Sequence, residues 1–227
     1  MLIYSLIPAR SGSKRIKDKN LLKINGKTLL EISIKHSLKT KEIHKTFVST
    51  DSKKYQKIAI NAGAYVPYLR PKIISQDLST DLECFKNFLS ELKKLKIAIP
   101  NIIIHLRPTY PIRERNLVSK CIKTFLKKNI DSLRTICQIK DNIQKMWMIN
   151  KNKLIHNPIT LKNEQHSLPG LKLKKTYLQV NSVDILLVKN TLLKNSMTGK
   201  KIYGYEINHN FDIDDVDDFI RVKNFYK

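Results

Sequence analysis

Five cationic side chains fall within ten residues near the start of the chain: Arg10, Lys14, Arg15, Lys17 and Lys19. Ser11, Gly12 and Ser13 lie among them, and Asn20 ends the stretch. A turn of small residues exposes backbone N–H groups, which together with Arg and Lys form a cradle for an anion. So many cations suit a highly charged anion such as a nucleoside triphosphate. The same residues also describe a solvated basic loop in a lysine-rich chain. Neither G-x-x-x-x-G-K-[ST] nor G-x-G-x-x-G is present, which excludes a Walker loop and a dinucleotide fingerprint. Far along the chain, the run FDIDDVDDF sets Asp212 and Asp214 two apart. In an extended segment alternate side chains share a face, so the two carboxylates can share a hard cation. Asp214 equally suits an N-cap, with Asp217 and Asp218 complementing a helix dipole. The six histidines show no paired ligand spacing, and no Ser-His-Asp or Cys-His constellation is apparent.

Strands must carry these residues to one place. Leu2 to Pro8 is an apolar run of one strand's length that ends at the basic turn. Thr46 to Asp51, Asn101 to Arg107, Leu133 to Ile139, Tyr177 to Lys189 and Ile202 to Ile207 read as further strands. Helical spacing follows Thr28, with Glu31 three residues on, and Thr80, with Glu83 three residues on, both capping-box patterns. A helix containing Tyr55, Ile58, Ala59 and Ala62 is ended by Gly63. Others are expected around Leu117 to Leu126 and from Val216. This alternation predicts an α/β fold with a mostly parallel central sheet and helices on its faces. Ligands collect at the carboxyl ends of such strands. The polar clusters at 10–20, Ser49-Thr50-Asp51, Arg107 to Arg113 and Asn181 all fall there. Residues 140–178, polar through 175, read as an excursion from the sheet within a single domain spanning 1–227.

The 227 residues include 41% hydrophobic and 27% charged, the composition of a soluble globular protein able to bury a substantial core. No apolar run long enough to span a membrane and no export signal is seen, so a cytoplasmic location is expected. The net charge of +24 admits nucleic-acid or membrane-surface binding. The cations are nevertheless scattered and lack interleaved aromatics, so no specific nucleic acid or membrane partner is expected. Cys84, Cys121 and Cys137 are isolated and read as buried thiols.

The opening Ile-Pro-Ala-Arg-Ser-Gly-Ser-Lys, with Lys19-Asn20 after it, resembles that of the CMP-sialic acid synthetases (acylneuraminate cytidylyltransferases). Val48-Ser49-Thr50-Asp51, and Arg70-Pro71 with Asp77, Ser79 and Thr80, are similar to that family's second block. Leu106 to Arg113 (LRPTYPIR), Ile143 to Trp147 (IQKMW) and Asp212-Ile213-Asp214 are similar to later ones. The resemblance implies a Rossmann-like nucleotide-diphospho-sugar transferase fold and Mg²⁺-dependent transfer of CMP from CTP to an acidic nonulosonic sugar, releasing pyrophosphate. It implies that Arg10, Gly12, Ser13, Lys14, Lys19, Asn20, Arg70, Asp77 and Thr80 bind the nucleotide. Arg10 and Lys19 would meet the phosphates, and Arg70 and Thr80 would lie near the cytosine. Asp212 and Asp214 would hold Mg²⁺ and, with Arg10 and Lys19, serve catalysis. Arg107, Thr109, Lys145, Gln179 and Asn181 would face the sugar. A homodimer is implied, residues 140–178 being the arm that brings Lys145 to the partner's site.

Several positions depart from the family pattern. Arg107 replaces a glutamine, Gln179 an arginine and Ser182 a glycine, while Glu164-Gln165-His166 lacks an expected Arg-Gln pair. The missing arginine would bind the substrate carboxylate in that family. Arg107 is expected to have taken over, because a guanidinium pairs bidentately with a carboxylate. Among the acidic nonulosonic sugars, one of the legionaminic or pseudaminic type is therefore expected rather than N-acetylneuraminic acid. The alternatives are a KDO cytidylyltransferase and a non-catalytic nucleic-acid-binding protein on the same fold.

Overall fold

The computed structural model describes residues 1–151, 153–156, 158–159 and 164–225. Among these, six strands form the central sheet: β1 (Ile3–Pro8), β2 (Lys45–Ser49), β3 (Ile102–His105), β4 (Ser132–Ile139), β5 (Thr176–Leu187) and β6 (Ile202–Glu206). Their order is β6-β4-β5-β3-β1-β2. All pairings are parallel except those of β5, which runs antiparallel to both β3 and β4. The carboxyl ends of five strands therefore share one edge of the sheet with the amino-terminal half of β5. Each expected strand is present, and the helices are α1 (Leu29–Leu38), α2 (Lys53–Asn61), α3 (Asp81–Lys94), α4 (Leu117–Lys127) and α5 (Val216–Phe225).

Strand β1 is apolar at nearly every position because both faces of the sheet are covered. Ile3 and Ile7 join a core with Leu30 and Ile34 of α1, Tyr55 and Ala59 of α2, and Cys121, Ile122 and Phe125 of α4. Tyr4 and Leu6 point the other way, onto Phe85, Phe88, Leu89 and Leu92 of α3. Both capping boxes form: Thr28 N donates to Glu31 Oε2 at 2.7 Å and Thr80 N to Glu83 Oε2 at 2.6 Å, each with the reciprocal bond to the threonine hydroxyl. Gly63 follows α2 with φ +93°, a conformation that side-chain-bearing residues rarely adopt. The three cysteines are free and buried.

Between β4 and β5 the chain leaves the sheet. Its described part contains short 3₁₀ turns at Ile143–Lys145, Gln165–Ser167 and Gly170–Lys172, and a small ladder pairing Met148–Ile149 with Ile155–His156. Met146, Trp147, Met148, Ile149 and Leu154 are exposed there. None of the described helices is long and apolar enough to cross a membrane.

Candidate active site

After β1 the chain turns into the basic loop, and buried Asn20 fixes that turn by donating from Nδ2 to Arg10 O at 3.1 Å. Asp51, just beyond β2, accepts from both the backbone N and the hydroxyl of Ser11 at 2.9 Å. The Ser-Thr-Asp cluster thus anchors the base of the cradle, while Asp18 accepts from Tyr55 Oη at 3.0 Å and pairs with Lys54. The bound ends leave Arg10, Ser13, Lys14, Arg15 and Lys19 lining a cavity of about 440 Å³, shared with Asp77 and Asp214.

The terminal acidic segment reaches this cavity from the opposite end of the chain. Ile213 is fully buried, and its N–H donates to Thr109 O at 2.9 Å, tying the segment to the loop after β3. Lys19 Nζ donates to Ile213 O at 2.8 Å and lies 3.5 Å from Asp214 Oδ1; Arg15 is also 3.5 Å from that oxygen. With Ile213 turned into the core, its two neighbours turn outward. Asp212 accepts from Asn181 Nδ2 on β5 and from the backbone N of Ile213. Asp214 is 60% exposed and open to a further ligand.

These two carboxylates suit magnesium, which is commonly held by one or two protein carboxylates and completed by substrate phosphates and water. Among the described residues no group of three or more His, Cys, Asp or Glu could form an all-protein metal cage. Asp214 lines the cavity with the cations, and Asp212 is held by Asn181 and the backbone N of Ile213; an ion at this pair would need phosphate or water for its remaining ligands.

The expected nucleotide residues divide into two groups. Arg10, Ser13, Lys14, Lys19 and Asp77 line the cavity, and exposed Gly12 accepts from Arg10 Nη1 at 3.2 Å. Arg70 and Thr80 are tied into the protein. Arg70 is buried, its Nε donating to Ser75 Oγ and its Nη1 to Cys84 Sγ, both at 3.0 Å, while Thr80 caps α3. Burial raises the pKa of the Cys84 thiol, which keeps it neutral against that guanidinium.

On the expected sugar side, Thr109 and Asn181 contact the Asp-Ile-Asp segment, and Gln179 is exposed on β5. Lys145 lies apart, lining a separate cavity of about 470 Å³ with Lys140, Asn142 and Gly170. Arg107 was expected to face a substrate carboxylate; its Nη1 instead donates to Asp184 at 2.8 Å and its Nη2 to Asp81 at 2.7 Å. Asp184 is fully buried and also pairs with Arg134 at 2.6 Å. Burial pushes the adjacent His105 down to about 3, so the imidazole is neutral near pH 7. The partners Asp81, Asp184 and Arg134 were missed by the motifs. The signal for them is a lone Asp within the apolar run Val183–Val188, because a buried charge requires a countercharge.

A larger cavity, about 550 Å³, opens between α1 and α4 and is lined by His36, Lys39, Glu42, Arg113 and Arg115. Its charged lining mixes both signs and includes none of the expected nucleotide or metal residues.

Residues 4–226 match the family model described as cytidylyltransferase. The chain is 27% identical over 161 residues to pseudaminic acid cytidylyltransferase of Campylobacter jejuni, covering 71% of this chain and 67% of that protein. It is 31% identical over 123 residues to CMP-N,N'-diacetyllegionaminic acid synthase of Legionella pneumophila, covering 54% and 53%. It is 25% identical over 221 residues to N-acylneuraminate cytidylyltransferase of Streptococcus agalactiae, covering 96% of this chain and 51% of that protein. Among solved structures, a CMP:2-keto-3-deoxy-manno-octonic acid synthetase complexed with CTP superposes with TM-score 0.73 at 13% identity, covering 99% of this chain and 98% of that one. That likeness speaks to the fold. The family match along nearly the whole chain, with an acid-tipped segment closing on a basic turn, makes this protein a member of the cytidylyltransferase family, of the CMP-sialic acid synthetase-like kind.

Proposed function

We propose that the protein transfers CMP from CTP to the anomeric hydroxyl of an acidic nonulosonic sugar and releases pyrophosphate. The observation that carries this reading is the meeting of Lys19 with Ile213 and Asp214 beside Arg10 and Lys14. The cavity lining sets four cations (Arg10, Lys14, Arg15, Lys19) against two carboxylates (Asp77, Asp214). That surplus suits a triphosphate. Relatives named for pseudaminic, legionaminic and N-acylneuraminic acids support an acidic nine-carbon sugar as the acceptor.

In the reaction, the sugar's anomeric oxygen forms a bond to the α-phosphorus and loses its proton to water, while the bond to the bridging oxygen breaks and the electron pair leaves with pyrophosphate. Such a transfer needs in-line positioning and neutralised charge more than covalent help. Arg10, Lys14 and Lys19 neutralise the phosphates, the Gly12-Ser13 turn offers backbone N–H groups, and Asn20 keeps the turn in shape. Arg70 and Thr80 border the cytosine. Asp212 and Asp214 would hold Mg²⁺, which when bound would offset the charge of the departing pyrophosphate. Thr109, Gln179 and Asn181 border the sugar, while Arg107 is held by Asp81 and Asp184 behind them. The arm dimerises through its exposed apolar residues, carrying Lys145 to a second subunit's site, and the protein works in the cytoplasm, where CTP is available.

The test is pyrophosphate release from CTP with magnesium and a panel of sialic, legionaminic, pseudaminic and KDO acids. Release stimulated by one of the nine-carbon acids is expected. Release with KDO alone, or with no acid, would overturn the assignment.

A further inference from the structure

Asp77 occupies the phosphate side of the cavity in a distinctive way. One carboxylate oxygen lies 2.7 Å from Arg10 Nη1 and the other 2.6 Å from Lys14 Nζ, so a single carboxylate spans two cations of the cradle. The flanking chain is held mostly by itself: Gln76 N donates to Ser79 Oγ at 2.9 Å and Ser79 N to Gln76 O at 3.1 Å. It has little apolar anchoring, Leu78 being 94% exposed and Ile73 79%. The contrast with Arg107 is sharp, because one of that residue's two carboxylates is fully buried in the sheet. A pair inside the sheet is fixed by the fold, whereas a pair at the rim of a cavity exchanges with other anions at low cost.

We propose that Asp77 is the resident counter-anion of the phosphate cradle. It occupies Arg10 and Lys14 when phosphate is absent, is displaced by the triphosphate, and returns as pyrophosphate leaves. The inference rests on the CTP reading of the site and assigns Asp77 a specificity role there. An anion bearing one charge does not replace a carboxylate already bridging two cations, whereas a di- or triphosphate engages Lys19 as well and does. Asp77 thereby filters weak anions out of the site and limits retention of the pyrophosphate product.

Calorimetric titration with inorganic pyrophosphate and with inorganic phosphate tests this. Asp77→Asn is expected to bind pyrophosphate roughly three- to tenfold more tightly, the scale on which exposed ion pairs act. It should also gain measurable phosphate binding, while Asp77→Glu restores the wild-type values. A folded Asp77→Asn protein with unchanged or weaker pyrophosphate affinity would overturn the proposal. Hydrogen exchange on the wild-type protein gives a second readout, independent of any variant. Amides of Gln76 to Ser79 should exchange faster when pyrophosphate is bound, and slower exchange there would mean that Asp77 stays in place. If the wild-type protein bound neither CTP nor pyrophosphate, the nucleotide reading itself would fall and this inference with it. Binding of both, without tightening in the variant, would strike the role of Asp77 alone.

Discussion

Lys19 donates to Ile213 O, lies beside Asp214, and is only 14% exposed, so its charge is held where phosphate charge would gather. Replacing it with methionine is expected to lower kcat/KM for CTP about a hundredfold, the scale of losing one preorganised electrostatic contact. Steady-state kinetics would show this, and a change of less than about threefold would exclude Lys19 from the site. Arg107 offers a separate test. Its removal as Arg107→Gln leaves Asp184 with one guanidinium fewer and Asp81 with none; unfolding in urea should register a loss of roughly 3 kcal/mol. If Arg107 also meets the sugar, the KM for the acidic sugar rises in the same variant. An unchanged KM would confine it to the structural role. The convergence of Arg10, Lys19 and Asp214 was legible because each sits in a block of recognisable residue types. The anions around Arg107 were not legible, since Asp81 and Asp184 come together only through the placement of β5.

At the scale of elements, strand boundaries were readable within one or two residues, and both capping boxes could be seen as a threonine followed three residues later by a glutamate. Thr28→Ala should cost about 1 kcal/mol in urea unfolding. It lies away from the cavity, so it serves as a reference for Thr80→Ala, whose cap borders the expected base site. Strand β5 shows what a sequence pattern leaves out. Its run of strand-forming residues carries no mark of direction, and its antiparallel insertion between β3 and β4 puts Asp184 opposite His105 and Arg134. His105 is fully buried there and titrates at about 3, while half-buried His36 is lowered to about 3 by burial and by the nearby Arg113. Both bind fewer protons in the folded state than in the unfolded state. Stability is therefore whole above pH 6.5 and declines as pH falls from there toward 3, by about 1.4 kcal/mol per pH unit for each fully titrating group. Urea midpoints between pH 7 and 4.5 should follow this slope, and His105→Gln should remove about half of it.

For the whole molecule, a net charge of +24 draws any polyanion to the surface, and such attraction fades steeply with salt. RNA retardation lost at moderate salt is the expected result and would leave the enzymatic reading intact. The proposed dimer would cover the exposed apolar residues of the arm, among them Trp147, 46% exposed. Sedimentation should give twice the 26.4 kDa chain mass, and Trp147→Glu should return it to the monomer with loss of turnover. In the proposed reaction the N-terminal basic turn and the Asp-Ile-Asp segment hold one triphosphate between them. Diffraction from crystals soaked with CTP and magnesium tests it most directly. Density for the phosphates is expected in the cavity lined by Arg10, Lys14 and Lys19, with a metal ion against Asp212 and Asp214. Nucleotide density in the larger cavity between α1 and α4, with the basic turn empty, would contradict it.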